Sequence, residues 1–180
     1  MLRPVPNRGF TLIEIMVAIS IFTIVAVIAV GALITANRVN QKAQSIKLVM
    51  DNLNYAMESM TFKMRRGGPY YCGDDLLNTP PPSVTSQNCV SGGNSLAFLT
   101  PKSAPSPETV VYGLRSGKIA ISRQGASPVD ITSSAATITH LRFYVPSSSV
   151  GQVTIIISGY AQVGHEQTEF ALQTTVSERI

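Results

Sequence analysis

Three textures of hydrophobicity follow one another along the chain. From Ile15 to Ala36, 22 residues pass without a charge, IMVAISIFTIVAVIAVGALITA. At about 1.5 Å per helical residue, such a run is long enough to cross a bilayer core of roughly 30 Å. Its Ile and Val favour strands. In lipid, however, only a helix or a closed barrel satisfies every backbone N–H and C=O, and one segment cannot close a barrel, so the run predicts a membrane helix. Next, Val39, Ala43, Ile46, Met50, Leu53, Met57, Met60 and Met64 recur at spacings of 4 and 3, the one-sided stripe of an amphipathic helix. Arg38, Lys42, Lys47, Asp51, Glu58, Lys63 and Arg65 fall between them. No Gly or Pro interrupts from Ala32 to Arg66, after which Gly67-Gly68-Pro69 supplies the breakers. One helix of roughly 55 residues, from Phe10 to about Arg66 and on the order of 80 Å long, is predicted. Its stripe is expected to lie on the chain's own sheet rather than in a coiled coil, because no other helix is available to cover that sheet. The four Met in the stripe read as core filling.

The third texture is alternation. Leu96 to Thr100, Thr109 to Leu114, Lys118 to Ser122, Thr137 to Val145, Gln152 to Tyr160 and Thr168 to Ser177 read as six strands separated by turn-rich stretches such as SAPSPE and RSGK. In the fourth, Leu141, Phe143 and Val145 share one face while His140, Arg142 and Tyr144 share the other; in the sixth, Phe170, Leu172, Thr174 and Val176 alternate with Gln173 and Thr175. An antiparallel sheet with one buried and one wet face follows, its inner side resting on the helix. The fold class is therefore α+β.

Composition narrows the function. At 180 residues the chain is too short for a large multi-domain enzyme. Only 13% of its residues are charged against 44% hydrophobic, below the quarter or so usual for a soluble domain. The net charge of +4 includes Arg3 and Arg8 near the N-terminus, too weak and scattered for the basic stripe of a nucleic-acid binder. No G-x-S-x-G elbow, H-E-x-x-H pair or phosphate-binding glycine loop is present. His140 and His165 lack an acid or nucleophile partner in the sequence pattern and are expected at the surface. Lys102, Arg115, Lys118 and Arg123, near Phe98 and Tyr112, offer a possible DNA contact with aromatic help, but Glu108 and Asp130 nearby favour ordinary solvated strand charges. No cofactor is implied.

Cys72 and Cys89 are the only cysteines. Without CxxC or flanking His spacing they offer no zinc site. A disulfide between them is expected, which places the domain in an oxidising space outside the cytoplasm. Asp74 and Asp75 lie in the same loop; two acids are too few for a calcium site, and a solvated turn is expected.

The anomaly is Glu14, an acid at the edge of the apolar run. A carboxylate placed centrally in a membrane costs about 2.5 to 3.5 kcal/mol, so one retained there needs a partner. If the chain is cut between Gly9 and Phe10, a new α-amino group appears one helical turn before Glu14, at the positive end of the helix dipole; a neighbouring copy can supply its amine instead. The run Arg8-Gly9-Phe10-Thr11-Leu12-Ile13-Glu14, followed by an unbroken apolar helix, resembles the signal shared by type IV pilins, their minor pilins and type II secretion pseudopilins. That resemblance implies cleavage after Gly9 by a membrane prepilin peptidase, N-methylation of Phe10, and use of Glu14 to neutralise the terminal amine of an adjacent subunit. It also implies the pilin fold, a long N-terminal helix laid on an antiparallel sheet. The Tyr-Tyr-Cys start after the helix and the six-strand tail look most like J-type pseudopilins and related minor pilins.

The resulting organisation is a leader peptide at 1–9, a transmembrane and assembly helix at 10–36, an amphipathic stem at 37–66, a disulfide loop at 67–94 and a β-sheet domain at 95–180. The expected function is that of a non-enzymatic minor pilin or pseudopilin in a type IV pilus-like filament. Alternatives are a J-type pseudopilin of type II secretion, a membrane-tethered DNA-binding pilin of an uptake machine, and a soluble secreted protein cut near Ala29-Val30-Gly31. Expected partners are the peptidase, other pilin subunits through the N-terminal helix, and the cytoplasmic membrane. Lys and Arg flank the apolar run on both sides, so charge alone does not orient it. The resemblance puts the head in the cytoplasm and the C-terminal domain outside, in an extracellular or periplasmic filament after assembly.

Overall fold

A computed structural model describes residues 9–101, 107–146, 151–163 and 166–178. The chain divides into two compact units, Met1–Gln44 and Ser45–Ile180. One helix, α1 (Leu12–Arg65, 54 residues), supplies the regular structure of the first unit and continues into the second. It begins two residues later than the apolar pattern predicts, because Thr11 caps it: the Glu14 amide donates to Thr11 Oγ1 at 3.3 Å.

In the first unit the helix exposes its apolar side chains all round, from Leu12, 77% exposed, through Ile34. Its polar side chains turn inward on the backbone. The hydroxyls of Ser20, Thr23 and Thr35 donate to the carbonyls of Met16, Ile19 and Gly31 at 2.8, 2.7 and 3.0 Å, which satisfies them without water. The helix is long and apolar enough to cross a membrane.

In the second unit the last turns of α1 pack on two antiparallel sheets. The strands are β1 (Tyr70–Gly73), β2 (Cys89–Gly93), β3 (Ser95–Thr100), β4 (Glu108–Arg115), β5 (Lys118–Arg123), β6 (Val129–Asp130), β7 (Ala136–Val145), β8 (Gln152–Val163) and β9 (Glu166–Ser177). One sheet has the order β1-β3-β4-β5-β6 and the other β2-β7-β8-β9. All six strands read from the sequence are present. Three short ones, β1, β2 and β6, escape the pattern because YYCG and CVSGG do not alternate, the latter ending in Ser and two Gly, and VD is only two residues. The single expected sheet is accordingly two.

The helix stripe also differs in phase. Val49, Leu53, Ala56, Met60 and Met64 are buried, whereas Val39, Ala43 and Met50 are exposed and Ile46 and Met57 half-buried. Leu53, Met60 and Met64 meet Phe98, Tyr112 and Ile119 from one sheet and Phe143, Ile155 and Ile157 from the other in one core. A stem docked on two sheets buries the side chains that meet them, and 49, 53, 56, 60 and 64 repeat at 4, 3, 4 and 4. The Asn52 side-chain oxygen adds a tie by accepting the Ser133 amide at 3.0 Å.

Alternation on β7 follows expectation: Leu141, Phe143 and Val145 are buried, with His140 and Arg142 exposed. The five-stranded sheet departs from it. Ala97, Val111 and Ala120 on its outer side are buried beneath Leu76 and Leu77 of the loop after β1, so the centres of β3, β4 and β5 are enclosed on both faces. The β4–β5 hairpin turns on Ser116 and Gly117, both at positive φ (48° and 74°), with Arg115 opposite Lys118; this is the primed two-residue turn that matches strand twist. Gly67 ends the helix where a Cβ would lie 2.6 Å from both the Leu99 carbonyl and the Phe98 ring. That close approach explains a glycine at this breaker.

Cys72 and Cys89 are disulfide-bonded. Since β1 belongs to one sheet and β2 to the other, the bond staples the two sheets at neighbouring edges. The loop it closes spans 17 residues, worth about 3 kcal/mol by chain entropy. Replacing both cysteines by serine is expected to lower the unfolding free energy by about that much, read by chemical denaturation. A loss under roughly 1 kcal/mol would mean that Leu76 and Leu77 hold the loop unaided.

Candidate functional site

The candidate site is the head of α1. Gly9 and Phe10 precede the helix as exposed, non-helical residues, and nothing lies within 4 Å of a Cβ placed on Gly9. Thr11 and Glu14 form half of a capping box, the T-x-x-E spacing in which the side chain of the cap receives the amide three residues on. The spacing was readable in the sequence, although the charge anomaly at Glu14 draws attention first. Glu14 lies in the first turn, and its carboxylate has no hydrogen-bond or ion-pair partner among the described residues. The arrangement is an exposed, non-helical backbone segment one turn from an exposed acid at the head of an apolar helix. Arg3 and Arg8 lie outside the described residues.

The remaining sequence candidates distribute as follows. Asp74 and Asp75 serve a turn: Asp74 Oδ1 accepts the Asn94 amide at 3.2 Å, Asp75 Oδ1 accepts Asn78 Nδ2 at 2.6 Å, and the Asp75 amide donates to Asn94 Oδ1 at 3.1 Å. His140 is exposed on β7 with its Nδ1 3.1 Å from Thr139 Oγ1, while His165 and Lys102 lie outside the described residues.

The cations weighed as a DNA contact do not assemble. Arg115 and Lys118 face each other at one end of the β4–β5 ladder, and Arg123 pairs with Val110 towards the other. Lys118 Nζ lies 3.1 Å from Asp130 Oδ2, and Arg115 Nη1 donates to the Pro128 carbonyl at 2.9 Å. Phe98 and Tyr112 are fully buried and stack on each other with centroids 6.0 Å apart, so neither offers a face to a base. Burial pushes the Tyr112 hydroxyl up to about 12, opposed by Ser59 and Arg123; Ser59 lies beside it, short of hydrogen-bond geometry.

No curated protein and no solved structure matches the chain. Residues 6–30 match the model of the prokaryotic N-terminal methylation motif, a segment that takes in Gly9, Phe10, Thr11, Glu14 and most of the apolar helix. The chain thus carries, at the head of a helix fit to anchor it once in a membrane, a type IV pilin-like prepilin signal.

Proposed function

We propose that the protein is the precursor of a minor pilin or pseudopilin, a structural subunit that acts by assembly into a type IV pilus-like filament. A prepilin peptidase removes residues 1–9 by cutting after Gly9, and the new N-terminus at Phe10 is methylated. The helix at 10–36 holds the mature subunit in the cytoplasmic membrane with its C-terminal domain outside, the stem at 37–66 leads to the disulfide loop at 67–94 and the sheet domain at 95–180, and assembly moves the apolar helices from lipid onto one another. Glu14 pairs with the terminal amine of a neighbouring subunit as it does so.

The observation that carries this reading is Glu14: an exposed carboxylate, partnerless among the described residues, one turn after Phe10 in a helix otherwise apolar to Ala36. An acid kept beside lipid is stabilised by a cation, and processing creates one at that depth. The Cys72–Cys89 bond supports a domain outside the cytoplasm. The DNA-binding alternative loses support from the buried Phe98 and Tyr112 and the paired Lys118.

N-terminal sequencing of the native protein tests the reading. A start at methylated Phe10 is expected; a start at Ala32 marks a secreted soluble protein, and a retained Met1 removes the proposal. Glu14→Ala is expected to be cleaved and membrane-held as normal, because the cap uses the Glu14 amide and not its side chain, yet to incorporate into filaments at least ten-fold less, a loss of about 1.4 kcal/mol or more per pairing. Sheared-filament immunoblots against total membrane protein measure this, and equal incorporation would show that the charge is idle.

A further inference from the structure

The second unit contains a cleft of about 210 Å³ that the N-terminal signal does not use. Phe62 and Lys63 line it from the last turn of α1, Arg66 from the residue just after it, Glu108 and Val110 from β4, and Arg123 from the end of β5. Three cations and one carboxylate therefore line the same cleft. Cations near a helix C-terminus complement its dipole, which accounts for Lys63 and Arg66 taken alone. It does not account for Arg123, brought to the same concavity from a strand about sixty residues away.

Two features set this group apart from the other strand charges. Lys118 has Asp130 and Arg115 has the Pro128 carbonyl, but Lys63, Arg66 and Arg123 form no ion pair among the described residues. Burial holds the Lys63 ammonium below the usual lysine range; Arg123 adds to that shift, and Glu108 opposes it. Lys63 is thus half-buried within reach of the Arg123 field, while Arg66 and Arg123 reach the same cleft from its exposed rim. Arg66 is steadied by its guanidinium lying 5.2 Å over the Phe62 ring. Guanidinium forks with an ammonium are the donor set for tetrahedral oxyanions. Phe62 and Val110 supply an apolar wall, and a cleft of about 210 Å³, smaller than a drug-sized ligand fills, has room for a phosphate-sized group.

We propose that Lys63, Arg66 and Arg123 form a binding site for a dianionic phosphate or sulfate group of a small soluble molecule, the excess of two positive charges over Glu108 matching the dianion. The reading is independent of the processing of the N-terminus.

Titration of the full-length chain in detergent micelles with inorganic phosphate, at constant ionic strength and followed by calorimetry, tests it. Saturable binding is expected. Lys63→Gln together with Arg123→Gln is expected to weaken it ten-fold or more, and Lys118→Gln to leave it unchanged. Glu108→Gln is the sharper variant: the Glu108 carbonyl, not its carboxylate, accepts the Thr100 hydroxyl, so the fold is untouched, and removing the negative charge is expected to tighten binding about three- to ten-fold. Dihexanoyl phosphatidylglycerol, a monoanionic phosphodiester, is expected to bind more weakly than phosphate; equal or tighter binding would overturn the dianion in favour of a lipid headgroup. Absence of saturable phosphate binding, or a Glu108→Gln variant that binds no better, would overturn the site.

Discussion

Gly9→Val is expected to leave the protein at its precursor mass, with the uncleaved chain held in the membrane and absent from filaments. A scissile peptide must enter the peptidase extended, and a branched Cβ beside it obstructs approach to the carbonyl and stiffens the backbone. The same substitution costs this fold nothing. Gly9 precedes the helix, and a Cβ there meets no atom within 4 Å, so loss of processing cannot be put down to misfolding. Mass spectrometry of the membrane fraction from cells carrying each variant reads the outcome directly. Normal maturation of Gly9→Val would place the cut elsewhere. Gly9→Ala, with one methyl group in open space, serves as the graded control and is expected to mature in part.

Phe98→Ala should remove about 3 to 5 kcal/mol of stability, a large share of the roughly 5 to 15 that a domain possesses. Phe98 is wholly buried on β3, with Tyr70 and Tyr112 rings each 6.0 Å away and Gly67 at the end of α1 packed against it. Truncation opens a void exactly where helix and sheet meet, and the backbone ladder on both sides of β3 prevents collapse into it. Urea unfolding of the full chain in micelles, followed by tyrosine near-ultraviolet circular dichroism, gives the value. Phe62→Ala, at a side chain 58% exposed, is the control and should change stability little. A loss below about 1 kcal/mol at Phe98 would show that the stem does not need this contact.

Local physics wrote the N-terminal part of the molecule plainly. A 22-residue run without charge has one solution in lipid, the serine and threonine hydroxyls within it bond to the preceding turn, and the Gly9 to Glu14 spacing is a property of adjacent residues. The two cysteines were legible as a pair because no others compete. The helix stripe was legible at Leu53, Met60 and Met64 and misread at 49/50 and 56/57: Met50 and Val49 are both apolar neighbours, and which of them turns inward depends on the sheets they meet. Likewise, Ala97, Val111 and Ala120 look like wet-face positions until Leu76 and Leu77 fold over them.

The residues alone determined that an apolar helix leads into an amphipathic stem and a run of antiparallel strands, because period and breakers act within a few residues. Tertiary structure decided that the strands form two sheets joined by Cys72–Cys89, that Phe98 and Tyr112 are core rather than contact surface, and that Lys63, Arg66 and Arg123 share one cleft. Those outcomes rest on which distant segments touch, and burial and charge proximity are properties of the touching.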